Sequence, residues 1–283
     1  MLLFSVPVWA LNYLDEVEKV QCQYWKKLLK LPSSTPGYVI RLETGTSDTT
    51  YSIIKCTLRF ILRLLEKDDN SFLCQCLKWQ LRWAARIGSK SRSWGFALKN
   101  LLFDLAGDST LDLPYVEIKK ILPSRISKIL ERVNLALLNR DTERMAKSNW
   151  TPIYAKMKTH AVTEPYLQIN LHLPVVQLIS QLRVNIFRII FKDAKIPLQN
   201  RSLCPWCNEC EGNSDHYISE CHCLSIHREK YLSNYVPTTN VSFVDLYNMH
   251  RNLPDFFKNI FYFFNDCYKT LEPYGCEPNG PGY

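Results

Sequence analysis

Three observations predict an all-α fold for this chain of 283 residues. Apolar residues recur at spacings of three and four along most of its length, the helical period. Glycine is sparse at 9 residues beside 15 prolines, which disfavours a Gly/Pro-rich all-β design. The third is a break in the pattern. Five of the 11 cysteines fall between 204 and 223, a small Cys/His-rich element between a helical body and a C-terminal helical extension.

The opening residues 1–10 are apolar but lack a basic leader region and a small-residue cleavage site, so they are read as a buried strand or helix start. Residues 12–31 follow a helical pattern through Leu14, Val17, Gln21, Tyr24, Leu28 and Leu31; Pro32 stops it and 33–37 is a turn. A short apolar piece, 38–42, ends at Gly45. A second helix is expected over 50–66 with Ile53, Leu58, Ile61, Leu64 and Leu65 inward, broken by Lys67-Asp68-Asp69-Asn70. Further helices are expected over 71–86, 96–105 and 113–121, and Pro123 is placed to open a long one reaching 148. Pro152, Pro165 and Pro174 punctuate the next stretch, and 173–192 reads as a very apolar helix carrying Arg183 and Arg188. A connector, 193–203, leads into the cysteine cluster. Helices are expected over 225–234, 241–250 and 253–271, the last aromatic and packing back on the body, and 272–283 reads as a disordered tail.

The net charge of +8 is uneven: residues 1–200 carry 29 Lys and Arg against 17 Asp and Glu, whereas 201–283 carry 6 against 10. A basic body suits a polyanion. Lys78, Arg82 and Arg86 stand four apart and share one helix face beside Trp79 and Trp83; Lys90 and Arg92 lie in the loop before Trp94. No acidic residue occurs from Asn70 through Phe103. Cations interleaved with rings suit RNA or DNA, phosphates meeting Lys and Arg while bases stack. The same tryptophans also fit a core covered by arginine stems. Cys22, Cys56, Cys74 and Cys76 lie in apolar helical patterns and are expected as buried free thiols. No membrane span is expected, since no run of 18 apolar residues occurs, and an intracellular location, the nucleus included, is the expectation.

The cluster reads Cys204-Pro205-Trp206-Cys207, then eight residues, His216, four residues and Cys221. Thiolates and an imidazole anchored by a C-x2-C turn are what a tetrahedral zinc site needs. Other sets compete: Cys223 and His227 are an i, i+4 pair that could join Cys204 and Cys207, and Cys210 makes a second C-x2-C with Cys207. On a regular helix His216 and Cys221 would lie about 140° apart. The backbone must leave regular helix if both bind one ion.

The segment CPWCNECEGNSDHYISEC resembles the C-x2-C-x8-H-x4-C element near the C-terminus of non-LTR (LINE-like) retrotransposon reverse transcriptases. Residues 6–45 resemble the region after that family's palm, where a helical thumb begins; LISQLRVNIFRIIFKDAKIP and HREKYL are similar too. The resemblance implies that Cys204, Cys207, His216 and Cys221 hold zinc near a surface for element RNA or target DNA. It implies a basic thumb-like body over 1–200, a knuckle over 201–227, C-terminal helices over 228–271 and a tail. The family's polymerase needs a Phe/Tyr-x-Asp-Asp turn, and the only Asp-Asp here, Asp68-Asp69, sits in a polar linker. The expectation is therefore a non-catalytic fragment that does not extend a primer and takes no small-molecule substrate. The alternative is a zinc-stabilised module that docks a protein through its aromatic C-terminal helix.

Overall fold

A computed structural model describes residues 5–87, 93–148, 152–158, 160–184, 203–236 and 241–270. Among these the fold is all-α, and the only extended pairing is an isolated antiparallel bridge, Leu203 to Glu211. The chain packs as two compact units, Met1–Trp25 with Pro36–Arg144, and Lys26–Thr35 with Met145–Tyr283. The expected helix at 185–192, the connector and the tail lie outside the described residues.

In the first unit the opening segment forms a short helix, α1 (Val6–Trp9), followed by a 3-10 turn, and not a strand. Val6 and Ala10 are fully buried. In α2 (Leu14–Leu28) the inward residues are Val17 and Cys22, while Tyr24 faces solvent. The apolar piece after Pro36 is a helix, α3 (Gly37–Thr44), buried from Tyr38 through Thr44 and stopped by Gly45 at φ 66°, the left-handed C′ position that glycine takes at least cost. α4 (Thr49–Leu65) starts where the Asp48 carboxylate accepts from the Thr50 N–H and buries the five predicted side chains. Each such burial contributes about 1.5–3 kcal/mol. α5 (Phe72–Ile87) buries Cys74, Leu77 and Leu81; Cys76, expected inside, is exposed on the opposite face. α6 (Trp94–Ala106) is capped by Ser93 and ends at Gly107, φ 58°.

The long helix differs most from expectation. Residues 115–146 form one continuous α7 (Tyr115–Ala146) with Pro123 inside it. An interior proline costs about 3 kcal/mol. Here the buried stripe Ile118, Leu122, Ile129, Val133 and Leu137 runs through the proline on both sides, and that burial outweighs the local penalty.

Arg41 of α3 is the polar hub of this unit. Its Nε and Nη2 donate to the two oxygens of Asp141, each at 2.6 Å, and Nη1 donates to Glu18. Asp48 lies 3.8 Å away. Glu18 also accepts from the N–H and hydroxyl of Thr49 at 2.9 and 2.8 Å, and Arg140 donates to Asp48 at 2.5 Å. Burial alone would pull the Arg41 pKa down; Asp141, then Glu18 and Asp48, push it above its ordinary value. One buried cation thus ties α2, α3, the start of α4 and α7.

In the second unit, Pro152, Pro165 and Pro174 stand in the first turns of α8 (Pro152–Met157), α9 (Pro165–Gln168) and α10 (Leu173–Arg183). Arg183 is fully buried, its Nη2 3.1 Å from Glu164, which also takes Lys158 at 2.5 Å and the Tyr247 hydroxyl at 2.7 Å. α11 (Ser225–Leu232), α12 (Phe243–His250) and α13 (Pro254–Lys269) match the three expected C-terminal helices. Phe256, Phe257, Ile260, Phe263, Phe264 and Cys267 form the buried face of α13.

Lys26–Thr35 belongs to this unit and holds a strained residue. Leu31 N–H donates to Lys26 O and Lys30 N–H to Lys27 O, a Schellman ending with Lys30 left-handed at φ 51°. A side chain in that region costs about 1–2 kcal/mol. Lys30→Gly is expected to stabilise the protein by about 1 kcal/mol, read as a higher urea midpoint at constant slope; an unchanged or lower midpoint would show that the lysine side chain compensates.

Candidate metal centre

The knuckle begins with a tight turn. Asn208 N–H donates to the Cys204 carbonyl at 2.7 Å, and Cys204 N–H to the Cys210 carbonyl at 2.7 Å, so the chain doubles back at once. Asn208 sits at φ 55°, a conformation asparagine tolerates better than most side chains. On the return, the Asn213 side chain accepts from the His216 N–H at 2.9 Å. The chain then enters a π-helical turn, His216–Glu220, closed by Cys221 N–H to His216 O at 2.7 Å. The departure from regular helix that the spacing requires is this turn. An i→i+5 bond widens the coil and carries residue i+5 back over residue i.

Four ligand atoms converge as a result, those of Cys204, Cys207, His216 and Cys221, all within 4.8 Å of one another. Cys204 Sγ is 3.7 Å from Cys221 Sγ, and Cys207 Sγ is 3.4 Å from His216 Nε2. A tetrahedron with metal–sulfur bonds of about 2.3 Å and metal–nitrogen bonds of about 2.0–2.1 Å has edges of about 3.8 and 3.6 Å. The residues fit a metal ion in these two edges and in donor chemistry. His216 points Nε2 inward. Its Nδ1 is buried without a hydrogen bond among the described residues and lies 3.5 Å from a Glu220 oxygen, close enough for pairing but not well aligned. A carboxylate behind a ligand histidine fixes its ring and tautomer.

The thiols differ. Burial pushes Cys204 and Cys221 above the ordinary range, Cys221 further because Cys204 adds its charge. Burial also pushes Cys207 up, but the backbone N–H groups of Glu209 and Cys210, then Cys204 and His216, outweigh it and bring Cys207 down to about 6. Metal ligation exchanges the remaining thiol protons for the cation.

Residues that spacing did not single out hold the site in place. Trp206, inside the C-x2-C turn, donates Nε1 to the Cys267 carbonyl at 3.1 Å, at the C-terminal end of α13. Its ring meets Tyr217 edge-on at 5.3 Å, and Tyr217 meets Phe264 at 6.4 Å. Gly212 faces Tyr217 so closely that a Cβ there would stand 2.1 Å from the hydroxyl. Asp215 accepts from the Phe243 N–H at 2.6 Å, tying the knuckle to α12. Cys204, Tyr217, Ile218, Cys221 and Leu224 therefore share one core with α10, α12 and α13. The aromatic inner position of the C-x2-C turn was the available sequence signal for Trp206.

The rival set is not assembled. Cys223 is exposed beside His222, Cys210 is exposed, and no other group of three or more His, Cys, Asp or Glu converges among the described residues. On the basic face, Arg82 is exposed and Trp79 is 54% exposed, so Trp79 is not a core residue. Lys78 turns inward: its Nζ donates to the Asp69 carbonyl at 2.9 Å and lies 4.6 Å from the Tyr115 ring centre. The Arg86 side chain, Lys90 and Arg92 lie outside the described residues. Asp69 pairs with Lys119 at 2.9 Å. No helix among the described residues is long and apolar enough to cross a membrane. Compared with protein-family models, curated proteins and solved structures, the chain matches none.

Proposed function

We propose that this chain is a zinc-stapled, all-helical nucleic-acid-binding module, the thumb-and-knuckle part of a LINE-like reverse transcriptase without the polymerase centre. The observation that carries the metal half is the convergence of Cys204, Cys207, His216 and Cys221 with two near-tetrahedral edges. Three thiolates with one imidazole in a closed four-ligand set favour zinc and a structural role. The family reading rests on the ligand spacing and its resemblance. The nucleic-acid half is supported by the basic 1–200 segment and by exposed Arg82 beside exposed Trp79. Lys78 is committed to Asp69 and Tyr115, so phosphate contact falls to Arg82, Arg86, Lys90 and Arg92.

Four such contacts to a single strand give a log–log salt slope near −3, at about −0.7 per phosphate. Arg82→Ala/Arg86→Ala is expected to reduce the slope by about one to two and to weaken all sequences alike. Fluorescence anisotropy across a salt series checks this. A double variant that binds like the parent at every salt concentration refutes this face, and a metal-loaded chain that binds no polyanion favours docking of a protein instead.

A further inference from the structure

We propose that the knuckle is also an oxidative modification site: without its metal, a peroxide converts it to a form locked by a Cys204–Cys221 disulfide. The proposal rests on the metal reading, since it concerns the same sulfurs. Cys204 and Cys221 are both fully buried, with sulfurs 3.7 Å apart and one on each side of the loop that carries His216. A disulfide needs about 2.05 Å between sulfurs, so the pair must close by less than about 2 Å. That separation suits an ion bridging the two sulfurs, and a small side-chain rotation joins them when none does. Cys207 is the half-buried sulfur of the set and lies within 4.8 Å of the others, so it is the point of entry.

The steps balance. Cys207 sulfur attacks the peroxide, the O–O bond breaks, and a sulfenic acid and one molecule of water or alcohol form. The Cys204 thiol attacks that sulfur, releasing water and giving a Cys204–Cys207 disulfide. Cys221 then attacks Cys204 sulfur and frees the Cys207 thiol. Two thiols lose two electrons and two protons, and the peroxide is reduced by the same two electrons. The locked form cannot supply the full thiolate set until a dithiol reductant reopens it.

The test uses the full chain, stripped with a chelator and treated with stoichiometric hydrogen peroxide, then digested under acid for mass spectrometry. Peptides holding Cys204 and Cys221 should be joined with a loss of two hydrogens, zinc uptake should fall at least tenfold, and dithiothreitol should restore it. Cys207→Ser should slow formation of the link at least tenfold. Cys210→Ala/Cys223→Ala, which removes the exposed thiols of the knuckle, should leave it unchanged. Oxidation that stops at sulfinic or sulfonic acid, or links formed chiefly through Cys210 or Cys223, overturns the proposal. Zinc uptake by the untreated chain is measured alongside. Uptake without the link overturns the redox proposal alone, and the link in a chain that takes up no zinc overturns the metal reading alone.

Discussion

Cys207→Ser is expected to strip the metal and to loosen far more than the knuckle. Structural zinc in small domains supplies about 10–16 kcal/mol of apparent binding free energy, while a whole domain is stable by only about 5–15 kcal/mol. In a knuckle standing alone, that loss would stay local. Here Cys204 and Cys221 belong to the same buried cluster as Tyr166, Ile179, Phe243, Phe257 and Phe264. Trp206 holds the end of α13 and Asp215 the start of α12. Losing one ligand should therefore raise amide exchange throughout α10 to α13, through more frequent opening of a unit that stays predominantly folded, with 36–144 little changed. Cys210→Ser, an exposed thiol three residues on, is the control and should keep both metal and protection. Exchange that rises only between 203 and 224 would show that the helices fold without the staple.

Arg41→Met is the second large effect, in the other unit. Methionine fills much of the volume but leaves Glu18, Asp48 and Asp141 facing one another, two of them with side chains only 5% exposed. Breaking a buried ion pair by removing one partner costs about 3–5 kcal/mol, mostly from the charge left behind. A loss of that size should appear in urea titration as a lower midpoint at unchanged slope. Arg41→Lys keeps the charge but cannot reproduce the two-pronged bond to Asp141, so an intermediate loss is expected. A loss below about 1 kcal/mol for Arg41→Met would mean that the carboxylates find water or other partners.

Most of the secondary structure was legible because local chemistry and packing agree. The stripe Ile53, Leu58, Ile61, Leu64 and Leu65 is the inner face of α4. The prolines at 152, 165 and 174, legible only as punctuation, stand at helix starts where their missing N–H costs nothing. Pro123 misled for the opposite reason: its local penalty is real, but burial on both sides overrides it. Cys76 misled because an apolar helical setting does not by itself mean burial: it stands about 200° around the helix from Cys74, the one that is buried. Arg41 and Arg183 were illegible as buried ions, since their carboxylate partners come from distant parts of the chain. At the metal centre, spacing named the competing donors and the family resemblance chose the set that converges. The packing that embeds it, through Trp206, Tyr217 and Gly212, carries no spacing signature.

The π turn at His216–Glu220 has a bearing on how such elements can be lengthened or shortened. A π turn is an α turn with one extra residue swallowed into the coil. The interval between histidine and cysteine therefore works as a gauge of helix type. Four intervening residues fit a π coil, and three would fit an α coil with the donors again superposed. Excising one residue between His216 and Cys221 should thus be tolerated by the ligand geometry if the coil tightens by one step, whereas a second excision would carry the two donors out of alignment. Variation of that interval by a single residue is a change of winding, not the loss of a site.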